Sequence, residues 1–299
     1  MPVPLEITRS ELFAAYDTVL FDADGVLWLG DVVVPGAVEA IDQLMRAGKQ
    51  VLMITNNSTK TAAQFASKLE KLGFSSINGT NVVSSGFVAM EALGGNPRKD
   101  ELPVYLIGTR ELAEMLQSVG VRSIGVGPDH LENYVQDGFL MDVPLEQRVF
   151  AVVTSFDSHF NYVKLMKAAN YLKDPTVEFY STNDDLTYPG SVPGVVVPGA
   201  GSSAVPVRAV SGRESTIFGK PHSAMFEYIR RRFKIDPKRT LMVGDRLDTD
   251  ILFGNRNRID TLLVLTGIHS LADVQQAEAA TRLGEVPRFY APSVRVFVE

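Results

Sequence analysis

Residues 19–28, Val-Leu-Phe-Asp-Ala-Asp-Gly-Val-Leu-Trp, constrain the chain more than any other stretch. An apolar run ends in two acids, Asp22 and Asp24, one residue apart, with Gly25 behind them. Such a run reads as a buried strand, with the acids at its carboxyl end. Carboxylates this close repel each other unless a proton or a cation lies between them. A magnesium ion takes oxygen ligands and suits phosphate chemistry. Strand-end carboxylates also serve as caps and calcium ligands, so the motif alone leaves several readings open.

Strand-like and helix-like segments alternate from there. Strands are expected at 18–21, 50–54 and around Val82 and Val83. Between them, Ala37, Ala40, Ile41 and Leu44 fit one helical face that ends at Gly48. Ala62, Phe65, Ala66, Leu69 and Leu72 fit another that ends at Gly73. This βαβαβ order predicts an α/β fold with a parallel sheet and helices on both faces. Ligands bind such sheets beyond the carboxyl ends of the strands, where Asp22 and Thr55 fall.

Linker-like stretches at 94–100 and 211–213 bracket a second series: strands at 104–107, 149–154 and 177–180, helices at 111–118 and 161–172. The first rhythm then resumes, with strands at 215–218, 240–243 and 261–265 and a helix at 223–233. The expected architecture is a three-layer Rossmann-like core, residues 1–98 and 213–299, with an α/β cap domain inserted at 99–212, a normal domain size. Residues 186–207 carry no charge, but Pro189, Pro193, Pro198 and Pro206 and four glycines argue against a spanning helix. A loop-rich segment over a pocket is expected there.

The 299 residues are 45% hydrophobic and 21% charged, enough apolar content for a sizeable core. A net charge of −6 offers no basic field to nucleic acid or acidic lipid. The absence of cysteine excludes disulfides and thiolate catalysis. Met-Pro-Val-Pro-Leu-Glu lacks the basic and apolar regions of a signal peptide, so a cytoplasmic protein is expected.

Three further pieces carry chemistry. Ile54-Thr55-Asn56-Asn57-Ser58 offers a hydroxyl, two amides and backbone N–H groups at an expected helix start, a natural anion site. Ser58 or Asn57 also reads as a plain helix cap. Phe218-Gly219-Lys220-Pro221 puts a lysine at a strand–helix junction, with Pro221 in the first helical turn. Met242 to Asp250 crowds three acids at a strand end. Asp245 is the best metal-ligand candidate among them, and Asp250 is placed to hold metal-bound water or the Lys220 ammonium. All four pieces are expected at strand ends of one sheet.

Together, Phe-Asp-Ala-Asp-Gly-Val-Leu-Trp, Thr-Asn-Asn-Ser, Gly-Lys-Pro and Gly-Asp-Arg-Leu-x-Thr-Asp resemble the haloacid dehalogenase superfamily of phosphohydrolases. The match is to the branch with a large cap, which includes phosphoglycolate, 4-nitrophenyl phosphate and pyridoxal phosphate phosphatases. Ala23 stands where the family commonly has Cys. The resemblance implies that Asp22 is the nucleophile and Asp24 the acid–base residue. It implies that Thr55, Asn56 and Asn57 hold the phosphoryl oxygens, and that Lys220 neutralises Asp22 and phosphate. Mg²⁺ would be held by Asp22, the Asp24 carbonyl and Asp245, with Asp250 behind them.

The 181–189 segment resembles the family's cap loop, which makes Asn183, Asp185 and Tyr188 substrate-contact candidates; each also reads as a turn residue or surface aromatic. Tyr188 replaces a histidine of the pyridoxal phosphate enzyme, which turns the expectation towards a small acid phosphate, 2-phosphoglycolate first, with pyridoxal 5′-phosphate and glycerol 3-phosphate as alternatives. The resemblance also implies a homodimer through the caps. A metal-free dehalogenase would leave Asp24 and Asp245 without purpose. A silent metabolite-binding relative would not need the full motif set. His130, His159, His222 and His269 lack metal-ligand spacing, and Trp28 reads as core.

Overall fold

The computed structural model describes residues 5–130, 135–136, 139–140, 145–189 and 195–298. They fall into two compact units. One comprises Met1–Thr55, Ala62–Ser84 and Lys220–Glu299; the other comprises Asn56–Thr61 and Ser85–Gly219.

The first unit is built on a parallel sheet, in the order Leu5–Glu6, Phe289–Ala291, Asp260–Val264, Thr240–Gly244, Thr18–Phe21, Gln50–Thr55, Val82–Ser84. Every residue of Thr18–Phe21 and Thr240–Gly244 is buried, as sheets covered on both faces demand of their central strands. The helix Ala37–Arg46 buries Ala37, Ala40, Ile41 and Leu44, the face read from the sequence; Ala62–Lys71 buries Phe65 and Leu69 of its expected face, while Ala62 is exposed and Ala66 half-buried. Gly48 and Gly73 follow these helices with positive φ, +71° and +85°, a conformation only glycine adopts without cost. From Thr18–Phe21 the chain steps outward to Gln50–Thr55 and Val82–Ser84, and later returns on the other side with Thr240–Gly244. The strand order therefore reverses at Thr18–Phe21, the position where α/β sheets open a ligand crevice.

The second unit has its own parallel sheet, in the order Thr216–Ile217, Glu178–Ser181, Ala151–Thr154, Val104–Ile107, Ser123–Ile124. Its core includes Tyr105, Val152, Ala168, Tyr171, Phe179 and Val207. An antiparallel pair, Thr187–Pro189 with Val196–Pro198, is added to it.

Three elements differ from expectation. The strand foreseen at 215–218 is Thr216–Ile217, and it pairs with Glu178–Ser181 of the second sheet rather than with the core; two residues carry no pattern that names a sheet. A helix, Ser85–Gly94, was not foreseen because it is apolar all round, burying Gly86, Phe87, Val88, Ala89 and Leu93 with no polar stripe to mark its period. It belongs to the second unit, whose longer segment runs Ser85–Gly219. Finally, Gly201–Ser211, expected to be loop-rich, is a helix with Pro206 inside it. Ala204 and Val207 anchor that helix in the core, and tertiary burial outweighs the proline. No helix among the described residues is long and apolar enough to cross a membrane.

Candidate active site

Three strands of the first sheet deliver site residues at their carboxyl ends. Asp22 follows Thr18–Phe21, and its N–H donates to the Val243 carbonyl at 2.9 Å, extending the ladder by one rung. Asp245 follows Thr240–Gly244, and Thr55 ends Gln50–Thr55, buried. Lys220 is the exception to the one-sheet expectation, because the strand before it lies in the other sheet. Pro221, joined to Lys220 by a cis peptide, precedes the His222 cap of helix Ser223–Phe233 instead of sitting in its first turn.

Lys220 is 2% exposed and places three N–H donors on three oxygens. It reaches Asp22 Oδ1 at 2.5 Å, Asp250 Oδ1 at 2.7 Å and the Ile54 carbonyl at 3.3 Å. Asp250 lies in a wide helical turn, Leu247–Ile251, and its Oδ2 accepts from the backbone N–H groups of Asp245 at 3.2 Å and Arg246 at 3.1 Å. Both Asp250 oxygens are thus engaged, which suits a supporting part.

Asp245 differs. Its Oδ2 accepts from the Ile268 N–H at 2.8 Å, while its Oδ1 is buried with no hydrogen-bond partner. A buried carboxylate oxygen without a partner is costly, and such orphans call for an explanation. Glycines make room for this carboxylate. A Cβ on Gly25, whose φ is +92°, would stand 2.5 Å from Asp245 Oδ2, and one on Gly267 would stand 1.9 Å from it. A Cβ on Gly244 would meet Asp250 Cβ at 2.1 Å.

Oxygens of Asp22, Asp245 and Asp250 lie within 4.8 Å of one another. Fully ionised, three carboxylates against one ammonium would carry two negative charges in excess. Burial pushes the Asp22 carboxyl well up; Lys220 opposes the rise, and the Asp250 and Asp245 charges add to it. Burial, then the Asp250 charge, pushes Asp245 up to about 7. Burial alone would depress Lys220, but the charges of Asp22 and Asp250 outweigh it and hold the ammonium above its ordinary range. A divalent cation would cancel the excess charge and give Asp245 Oδ1 a partner. The all-oxygen donor set suits a hard ion such as magnesium or calcium.

Asp24 lies apart from this trio. Its carboxylate is exposed, and Oδ1 accepts from the Trp28 indole Nε1 at 2.9 Å. Sequence reasoning missed the loop after Asp260–Val264, in which Gly267 and Ile268 hold Asp245 and Thr266 Oγ1 donates to the Gly25 carbonyl at 2.6 Å. The signal was present: Leu-Thr-Gly ends another strand of the same sheet.

In the second unit, Asn56 Nδ2 donates to Asp185 Oδ2 at 3.0 Å, and Asn183 Nδ2 donates to the Asn56 carbonyl at 2.7 Å. Asn183 Oδ1 accepts from the Asp185 N–H at 3.1 Å. Three expected site residues therefore form one knot. A Cβ on Gly219 would strike it, 2.5 Å from Asn56 Oδ1. Asn57 Oδ1 closes a turn onto Thr59 N at 2.9 Å, and the helix begins only at Ala62, later than expected. Ser58 is not a cap; its hydroxyl meets Ser155 Oγ at 2.8 Å in the interior. Tyr188 is 45% exposed, its ring edge-on to Phe156 at 6.1 Å.

Two family models match the chain: haloacid dehalogenase-like hydrolase over residues 19–122 and HAD-hydrolase-like over residues 217–294. The chain belongs to the haloacid dehalogenase-like hydrolases, and within them to the phosphatases that cleave phosphate monoesters. Glycerol-3-phosphate phosphatase of Rattus norvegicus is 41% identical over 98% of this chain and 93% of its own length. Human chronophin is 39% identical over 94% of this chain and 92% of its own. A Caenorhabditis elegans protein that carries the NipSnap name is 50% identical over 84% of this chain, which spans only 48% of that longer protein. Among solved structures, glycerol phosphate phosphatase of Mycobacterium tuberculosis in complex with magnesium superposes with a TM-score of 0.79 at 27% identity, over 98% of this chain and 78% of that one.

Proposed function

We propose that this chain hydrolyses small phosphate monoesters, glycerol 3-phosphate foremost, through a phosphoryl group carried transiently on Asp22, with Mg²⁺ held by Asp22, the Asp24 carbonyl and Asp245. The observation that carries this reading is the excess of carboxylate over ammonium around the unpartnered Asp245 Oδ1. When bound, the cation offsets the repulsion between a carboxylate nucleophile and a dianionic ester.

Lys220 fixes Asp22 Oδ1 at 2.5 Å and so sets the direction of the other oxygen. That oxygen attacks phosphorus in line with the departing alcohol oxygen, forming one P–O bond as the ester P–O bond breaks. Asp24 gives its proton to the leaving alkoxide. It then takes a proton from water as that water attacks the acyl phosphate, which releases phosphate and restores Asp22. Thr55, at the end of the neighbouring strand, is assigned to the phosphoryl oxygens. The choice of alcohol is assigned to Asn183, Asp185 and Tyr188.

The names of the 41% identical relatives support glycerol 3-phosphate. The 2-phosphoglycolate expected from the sequence has no comparable support among them. The test is phosphate release from glycerol 3-phosphate, 2-phosphoglycolate and pyridoxal 5′-phosphate, with Mg²⁺ and with EDTA. Turnover that persists in the chelator rejects the metal. A better kcat/KM for either of the other two esters rejects the substrate.

A further inference from the structure

Trp28 is the sole tryptophan of the chain and is 1% exposed. Phe74 packs edge-on against it at 5.9 Å, and the Lys68 ammonium stands 4.4 Å over its ring. A buried indole needs an acceptor for its one N–H. Here the backbone brings one. Trp28 N donates to the Ala23 carbonyl at 3.2 Å, and Gly25 N donates to the Trp28 carbonyl at 2.7 Å. The turn carrying Asp24 is thereby folded against Trp28, whose indole reaches Asp24 Oδ1 at 2.9 Å. An exposed aspartate otherwise samples several rotamers. A buried rigid ring, held by the Phe74 edge contact and overlain by a cation, selects one of them. The overlying cation also draws density from the ring and strengthens the N–H as a donor.

We propose that Trp28 is a positioning residue: its indole N–H anchors Oδ1 of Asp24, so that Oδ2 carries the proton to the departing alkoxide. This rests on the reading of Asp24 as the acid–base residue. It predicts a dependence on the leaving group. An alkoxide needs that proton, whereas 4-nitrophenolate departs almost unaided. The comparison belongs in kcat/KM, which reports the steps up to loss of the alcohol and is blind to later hydrolysis of the acyl phosphate.

Two replacements remove the N–H: Trp28→Phe, and uniform substitution of tryptophan by benzothienylalanine, which keeps the ring shape and alters only this residue. The second keeps the test valid should the first fail to fold. Full general acid catalysis contributes about 10²–10⁴-fold, so loss of its positioning should lower kcat/KM for glycerol 3-phosphate about tenfold and that for 4-nitrophenyl phosphate less than about twofold. The single indole ¹⁵N–¹H resonance should also shift in Asp24→Ala. Equal losses on both esters, or none on the alkyl ester, overturn the proposal. Asp24→Ala separates the two ideas. If it cuts both esters alike, the acid reading itself fails. If it is selective and the Trp28 replacements are not, only the positioning role fails.

Discussion

Each unit buries a lysine against aspartate, and the two pairs are built to opposite ends. In the second unit, Lys164 and Asp157 are 0% and 2% exposed and meet at 2.5 Å, one charge against one. Asp157 Oδ1 also accepts from the His159 N–H at 2.8 Å, so each of its oxygens has a partner. In the first unit, Lys220 faces two aspartates while a third, Asp245, keeps an oxygen without a partner. A balanced buried pair can only hold the fold, because breaking it leaves a lone charge in the interior. An unbalanced one stores a demand for positive charge that a substrate-handling cation meets. Charge count, rather than distance or burial, distinguishes the two.

The sharpest way to break this comparison is Asp22→Asn. Removing a covalent nucleophile should lower kcat by on the order of 10⁴-fold or more. Yet it takes one negative charge from a group that, fully ionised, has two in excess, and Lys220 keeps Asp250 and the Ile54 carbonyl. The metal-free variant should therefore melt no lower than the parent at pH 8. Calorimetry showing a marked loss of stability would place Asp22 with Asp157, as a structural partner.

Lys164→Met is the mirror experiment. It strands Asp157 in the interior and should cost about 3–5 kcal/mol of unfolding free energy in urea titration. Turnover per folded molecule should not change. Adding Asp157→Asn, which keeps an acceptor for His159, should recover most of the loss, since an uncharged replacement of a buried pair is often neutral. A double variant as unstable as the single one would mean that the pair is doing more than balancing itself.

Much of the fold and one side of this contrast were legible in the sequence; the Lys164–Asp157 pair was not. The strands Thr18–Phe21 and Val104–Ile107 and the helix Ser223–Phe233 lie where the hydrophobic period put them, because each presents an unbroken apolar run or a clear stripe. Ser85–Gly94 stayed hidden because its apolar residues run together without a helical stripe, and Gly201–Ser211 because Pro206 masks a helix that burial sustains. At the site, Asp22 and Asp245 lie just past strand ends of one sheet, as expected, whereas Lys220 follows a strand of the other sheet and Asp250 sits in the helical turn Leu247–Ile251. The orphaned Oδ1, the Gly267 approach and the Trp28 indole contact were not legible in the sequence. They depend on side-chain rotamers and on loops meeting from distant positions, which no local pattern encodes.

The cation itself sharpens the comparison further. Asp245 holds its proton up to about pH 7 when folded, against an ordinary value of 3.8. The folded chain therefore binds more protons than the unfolded one across that window, and metal-free stability should fall as pH rises through it. Magnesium competes with that proton. Its stabilisation should be full above pH 7 and shrink towards pH 5, reaching about 2.7 kcal/mol at a hundredfold excess over Kd. Differential scanning at pH 5.5 and pH 8, with and without Mg²⁺, reads it directly. A magnesium effect equal at both values would remove Asp245 from the ligand set. In Lys164→Met the magnesium increment should be that of the parent, because that pair has no charge to give.

The smallest effect expected is at Lys71 and Asp31, and it bears on what a distance means. They meet at 2.7 Å, the separation of Lys220 from Asp250, but their side chains are 65% and 68% exposed. Water screens both charges, and ordering two mobile side chains offsets most of what attraction remains. Lys71→Ala should therefore change unfolding free energy by no more than about 0.5 kcal/mol and leave kcat/KM untouched. A loss approaching that of Lys164→Met would show that geometry alone sets the strength of these pairs. The separation of a fold-holding pair from a cation-demanding one by burial and charge count would then collapse.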